Sequence, residues 1–185
     1  MALRLNGSTS GYVELNAPAV AGSTSLTVPF GVIQVVQATT ASKISSTTVR
    51  TDHDCMSASI TPKMSNSNIL VSLSFSMGDG NNESYYLKRG STKIGGSGVT
   101  DSNFIEDTSW WSSDENSNNT YGISPWGWQY LDTGRTAGTS QITYTFGVYI
   151  VNSGSGNFYF NRANNDQSGT GSAARSTMTL WEVAA

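Results

Sequence analysis

Residues Ile69-Leu70-Val71-Ser72-Leu73-Ser74-Phe75-Ser76-Met77 place an apolar side chain at every odd position and Ser at 72, 74 and 76. Period-2 alternation sustained over nine residues has one structural solution, a β-strand with one dry and one wetted face. Gln141–Val151 repeats the device: Ile142, Tyr144, Phe146, Val148 and Ile150 share a face against Thr143, Thr145 and Gly147. Helical periodicity is nearly absent. Ser, Thr, Asn and Gly make up 84 of the 185 residues. All four disfavour helix interiors, because they bond their own backbone or lose entropy there.

Further strands are predicted at Tyr12–Leu15, Ser25–Val28, Val32–Thr39, Ser57–Thr61, Tyr85–Arg89, Trp128–Leu131, Phe158–Asn161 and Thr177–Val183. Turn-rich joints separate them, among them 78–82, 95–98 and 153–156. About ten short strands with frequent turns describe an all-β, antiparallel β-sandwich of jelly-roll-like form. Two stretches read as long loops, Ser97–Thr120 and Asn161–Ser176. A boundary falls near Pro29-Phe30-Gly31. Residues 1–30 are too few and too polar to close a core alone, and read as an attachment or stalk segment. Residues 31–185 form the sandwich domain.

Composition excludes several classes of function. Only 12% of residues are charged, against about 25% in an average domain. Ten Lys and Arg face thirteen acids with no basic run, so a nucleic-acid surface is not expected. No stretch approaches the ~20 apolar residues of a membrane helix, and the N-terminus has no secretory h-region. A single Cys55 forms no internal disulfide and no cysteine zinc site. Folding in a reducing cytosol follows.

Enzyme parts are missing too. His53 in Thr51-Asp52-His53-Asp54-Cys55 has acids beside it, but neighbours along a chain point apart, so adjacency is no triad and a surface turn is the plainer reading. No GxSxG elbow occurs. Gly169-Thr170-Gly171-Ser172-Ala173-Ala174 matches GxGxxA in letters but lacks the strand before and helix after that a dinucleotide needs. Asp101, Glu106, Asp107, Asp114 and Glu115 could supply glycosidase carboxylates, yet read better as solubilising loop acids. Asp79-Gly80-Asn81-Asn82-Glu83 starts like a calcium loop, but Ser84 and Gly90 occupy its sixth and twelfth places, so it reads as a hairpin turn. No cofactor and no metal are expected.

Aromatics carry the remaining information. Trp110 and Trp111 lie within the long polar stretch, and Tyr121, Trp126, Trp128 and Tyr130 follow. Each Trp offers about 150–250 Å² of contact area with a flat face and an N–H. Such surfaces recur at binding hot spots and stack on the C–H faces of sugars. Trp128 and Tyr130 can share a strand face, so that Trp126, Trp128 and Tyr130 read more plainly as capping the sandwich core or burying at an oligomer interface. Trp110, Trp111, Tyr121, Trp126 and Trp128 are the candidate receptor-binding residues.

Leu5-Asn6-Gly7-Ser8-Thr9-Ser10-Gly11-Tyr12-Val13-Glu14-Leu15, then 17–23 (APAVAGS) and Leu26-Thr27-Val28-Pro29, resemble a motif common in structural proteins of marine tailed phages, especially those infecting cyanobacteria. The body resembles the β-sandwich domain of their tail fibres in the blocks 31–36, 57–62, 67–71, 87–95, 130–133 with 143–144, and 176–183. These short blocks span nearly the whole chain, and their order carries the resemblance; 97–125 departs from it. The resemblance implies a virion tail component made in the host cytoplasm, a homotrimer that contacts a host surface glycan or lipopolysaccharide without catalysis. Residues 1–30 would join other virion proteins. The alternatives are a purely structural part, such as a capsid decoration or baseplate adaptor, and a glycan-degrading tailspike.

Overall fold

The alternation of the sequence becomes a burial pattern in the computed structural model, which describes residues 3–6, 12–15, 31–78, 83–94, 122–150, 157–164 and 173–185. Strand β6 (Asn68–Gly78) buries Ile69, Val71, Leu73, Phe75 and Met77, each 3% exposed or less. Strand β10 (Ile142–Ile150) does the same with Tyr144, Phe146, Val148 and Ile150. These faces meet: the Phe75 and Phe146 rings lie 4.4 Å apart, and Tyr85 stands edge-on to Phe75 at 5.3 Å. One hydrophobic core therefore lies between two sheets.

The other strands are β1 (Leu3–Asn6), β2 (Tyr12–Leu15), β3 (Val32–Thr40), β4 (Ile44–Ser46), β5 (Asp52–Ile60), β7 (Glu83–Arg89), β8 (Thr92–Ile94), β9 (Ile123–Asp132), β11 (Phe158–Phe160) and β12 (Ser176–Val183). Every pairing is antiparallel, and no helix occurs among the described residues. The protein is all-β. Strands β1 and β2 pair as a separate hairpin. One sheet runs β5-β10-β7-β8. In the other, β12 lies between β3 and β6, β11 joins β4 to the far end of β6, and β9 closes the opposite side of β6. Thus β3 with β4, and β11 with β12, occupy two interrupted lanes.

Several boundaries differ from the sequence reading. The fifth strand begins at Asp52, so His53 is strand and not a surface turn; its ring lies 5.1 Å from Phe158 and Nε2 is 2.8 Å from the Thr48 carbonyl. Strands β6 and β7 belong to different sheets and do not pair as the expected hairpin, and residues 79–82 lie outside the described residues. Strands β1, β4 and β8 were not expected. The predicted strand Ser25–Val28 lies outside the described residues.

The expected loop Asn161–Ser176 is tied down at both ends. Asn161 (φ 57°) halts β11, and its backbone carbonyl accepts from the Ala174 amide at 3.2 Å, beside an Arg162–Ala173 bridge. Its buried side chain donates to the carbonyls of Thr40 and Ser42 and accepts from Ser176 Oγ at 2.6 Å. An amide with donor and acceptor both engaged can be buried at little cost. This one joins the two halves of the β3/β4 lane to the β11/β12 lane.

At the end of the sheets where β5 finishes and β6 begins, two polar knots hold the connections. Glu182, fully buried on β12, accepts from the amides of Lys63 and Met64 (2.9 Å each), Ser67 Oγ (2.6 Å) and Gln34 Nε2 (2.7 Å). Burial alone would raise its pKa, but these donors outweigh that effect and hold the carboxyl below the ordinary glutamate range. Arg135 grips the same connection from the other side, donating to the carbonyls of Met64, Ser65 and Ser67 and to Ser67 Oγ. In the second knot, Asp132 (1% exposed) accepts from Arg89 Nη1 at 2.6 Å, Tyr144 Oη at 2.7 Å and the Gly134 amide at 3.2 Å.

Candidate functional site

Strand β9 carries the densest aromatic run of the described chain. Its register against β6 pairs Trp126 with Phe75, Trp128 with Leu73 and Tyr130 with Val71. Directly opposed residues share a face, so all three point to the core side. They pack half-buried against the core, and Trp128 stacks on Tyr130 at 5.7 Å and 16°. Pro125, which cannot donate to a ladder, is tolerated because β9 pairs on one side only.

Trp126 and Trp128 are thus brought together on one face. Trp110, Trp111 and Tyr121 lie outside the described residues. Ile94, which precedes residues 95–121, pairs with Leu87 level with Phe146, midway along the four-stranded sheet, while Gly122, which follows them, sits at one end of the sheets with Gly78, Glu83, Ile150 and Asn157. The Arg50 amide bonds the Ile150 carbonyl there at 2.8 Å, tying the β4–β5 connection to β10. Gly31 and Ala184 mark the opposite end, joined by a 3.1 Å backbone bond.

The outer face of the four-stranded sheet holds an ion-pair network that sequence reading missed. Lys88 Nζ lies 2.9 Å from Asp54 and 3.2 Å from Asp52; Lys93 Nζ lies 2.7 Å from Asp52. Tyr86 Oη donates to Asp54 at 2.8 Å, while the two ammoniums sit over its ring at 4.8 and 4.9 Å. The phenol lies flat across Gly147, where any Cβ would overlap it and the His53 carbonyl. Burial, then the Asp54 hydrogen bond, pushes the Tyr86 pKa far above the ordinary tyrosine value. Burial opposes ionisation of Asp52 and Lys88 too, but their mutual pairing prevails, lowering the first pKa and raising the second. Lys, Asp and Tyr neutralise one another here, which makes the network a clamp on β5, β7, β8 and β10. The signal lay in the sequence only as scattered charges, since the partners are up to 41 residues apart.

Chemically, the described residues offer aromatic faces, hydroxyls and amides. His53 is engaged with Thr48 and Phe158, and no group of three or more His, Cys, Asp or Glu among them is placed to hold a metal. No helix among the described residues is long and apolar enough to cross a membrane. No family model matches the chain, and no curated protein matches it.

Proposed function

We propose that this chain is a non-catalytic tail fibre or tail-associated receptor-binding protein of a tailed phage, assembled as a homotrimer and gripping a host surface glycan. The observation that carries the reading is the end-to-end polarity of the domain. Gly31, which follows residues 1–30, lies at one end, while Ile123, where the chain re-enters the sheet after the Trp110–Trp111 segment, lies at the other beside Gly78. An attachment segment and a contact loop need that separation.

Strand order supports the jelly-roll form. With β3/β4 and β11/β12 each counted as one lane, the sheets read lanes 1-8-3-6 and 2-7-4-5, the interleaving of two Greek keys. Viral capsid and lectin domains use this architecture.

Trimer assembly draws support from the outer face of the larger sheet. Val35, Trp181, Leu70 and Leu131 form one cross-strand row, with Val35 47% and Leu131 46% exposed. The next row, Gln37-Thr179-Ser72-Gln129, is wholly polar. A bounded apolar row on a charge-poor surface suits contact between copies, and rotational symmetry would also cover open strand edges.

Replacing Trp110 and Trp111 together by Ala tests the reading. Adsorption should be abolished while the native mass stays at three times 19.7 kDa. A monomeric mass for the unaltered chain, or full adsorption by the variant, would overturn it. The jelly-roll order equally suits a capsid decoration, and antibody labelling of virions separates the two: signal on the head removes the fibre reading.

A further inference from the structure

Beside the second polar knot, at the end where Gly31 enters, lies a cleft of about 320 Å³. Its wall includes two guanidiniums, Arg89 and Arg135, and the polar side chains of Thr136, Ser140 and Gln141, with Ile142 as apolar floor. Among the described residues no carboxylate lines it. The acid that pairs with Arg89, Asp132, is buried behind it at 1% exposure, and Arg135 is linked through Ser67 Oγ to Glu182, buried at 0%. In a chain of net charge −3, the cleft therefore shows solvent a positive wall.

The two arginines differ in what they have left to give. Arg135 spends Nε, Nη1 and Nη2 on backbone carbonyls and Ser67 Oγ. Arg89 engages Asp132 through Nη1 alone, and among the described residues its Nε and Nη2 carry no hydrogen bond. Its side chain is one-quarter exposed. The Nε–Nη2 edge of a guanidinium is a planar pair of donors that matches a carboxylate in bidentate fashion. Burial of Arg89 against Asp132 fixes that edge, which lowers the entropy lost on binding.

The geometry points to this cleft as a binding site for a carboxylate-bearing sugar, with Arg89 holding the carboxylate and Thr136, Ser140 and Gln141 meeting the ring hydroxyls. The volume lies at the small end of ligand pockets, sized for a single residue of an acidic polysaccharide. The site lies at the opposite end of the sheets from Ile123, where the chain re-enters after residues 95–121. Its failure would leave the attachment reading intact, and failure of that reading would leave the cleft.

The test is titration of the isotope-labelled full chain with sodium glucuronate, glucose and inorganic phosphate, followed by amide shifts. Glucuronate is expected to move Thr136, Gly138 and Gln141 with at least tenfold higher affinity than glucose or phosphate. Arg89→Lys keeps the charge but loses the planar edge, and should weaken glucuronate at least fivefold. Because Arg89 also supports Asp132, Ala137→Phe provides a second variant that narrows the cleft and leaves the ion pair alone; it should cost at least tenfold without shifting the melting temperature. Equal binding of glucuronate and glucose, tighter binding of phosphate, or unchanged affinity in A137F overturns the assignment.

Discussion

Glu182→Gln preserves the shape of a fully buried side chain and removes its charge. In the native arrangement Oε1 accepts from the Met64 amide and Ser67 Oγ, Oε2 accepts from Gln34, and the Lys63 amide bonds both oxygens. A carboxamide has one acceptor oxygen, and its NH2 group must confront at least one of those donors. Hydrogen bonds to a charged group contribute about 1.5–3 kcal/mol each, neutral ones about 1 kcal/mol. With one donor unmatched and the other three reduced to neutral strength, the low ends of these ranges give a loss of about 3 kcal/mol. For a chain of this length each kcal/mol shifts the melting temperature by about 2–4 °C, so E182Q should melt about 6–12 °C lower at neutral pH by scanning calorimetry. The gap should depend on pH. Because the folded carboxyl titrates below its ordinary range, its contribution is complete above the unfolded glutamate pKa and is lost as pH falls through the folded value. The two melting curves should therefore converge on acidification. A neutral-pH difference under about 2 °C, or a gap that widens in acid, would refute the role given to Glu182.

Other expectations follow from the same geometry. Gly147→Ala drives a methyl into the Tyr86 phenol and the His53 carbonyl, and should cost about 2–3 kcal/mol in equilibrium denaturant unfolding. Tyr144→Phe removes the 2.7 Å donor to buried Asp132 and should cost about 1.5–3 kcal/mol by the same measurement; a neutral result would mean that Arg89 and the Gly134 amide suffice. Burial and the Asp132 bond push the Tyr144 pKa up, as burial and Asp54 do for Tyr86. Spectrophotometric titration should therefore leave these two phenols protonated past the ordinary tyrosine range until the protein unfolds. Since their folded pKa values are raised, the stability they contribute is present below the unfolded value and lost as pH climbs above it.

The aromatic run shows where reading a sequence stops. Trp128 and Tyr130 at spacing two announce one shared strand face; the strand's earlier start at Ile123 adds Trp126 to it, and the register opposite Phe75, Leu73 and Val71 supplies its direction. Whether that face met solvent or core depended on β6, more than 50 residues away. Glu182 carries no local sign of its role: it is buried because donors from Gln34, Lys63, Met64 and Ser67 converge on it. Arg89 and Arg135 likewise appear as isolated bases among polar residues, and become one cleft wall only when β7 and the β9–β10 connection are brought side by side.

The all-β, antiparallel character was written in the residues themselves, since alternation with period two and a surplus of Ser, Thr, Asn and Gly act on the backbone within a few positions. The division into two sheets, the burial of Glu182 and Asp132, and the cleft beside Arg89 were decided by tertiary structure. Those features come from pairings between segments tens of residues apart, where the energy of a donor depends on an acceptor that no local window contains.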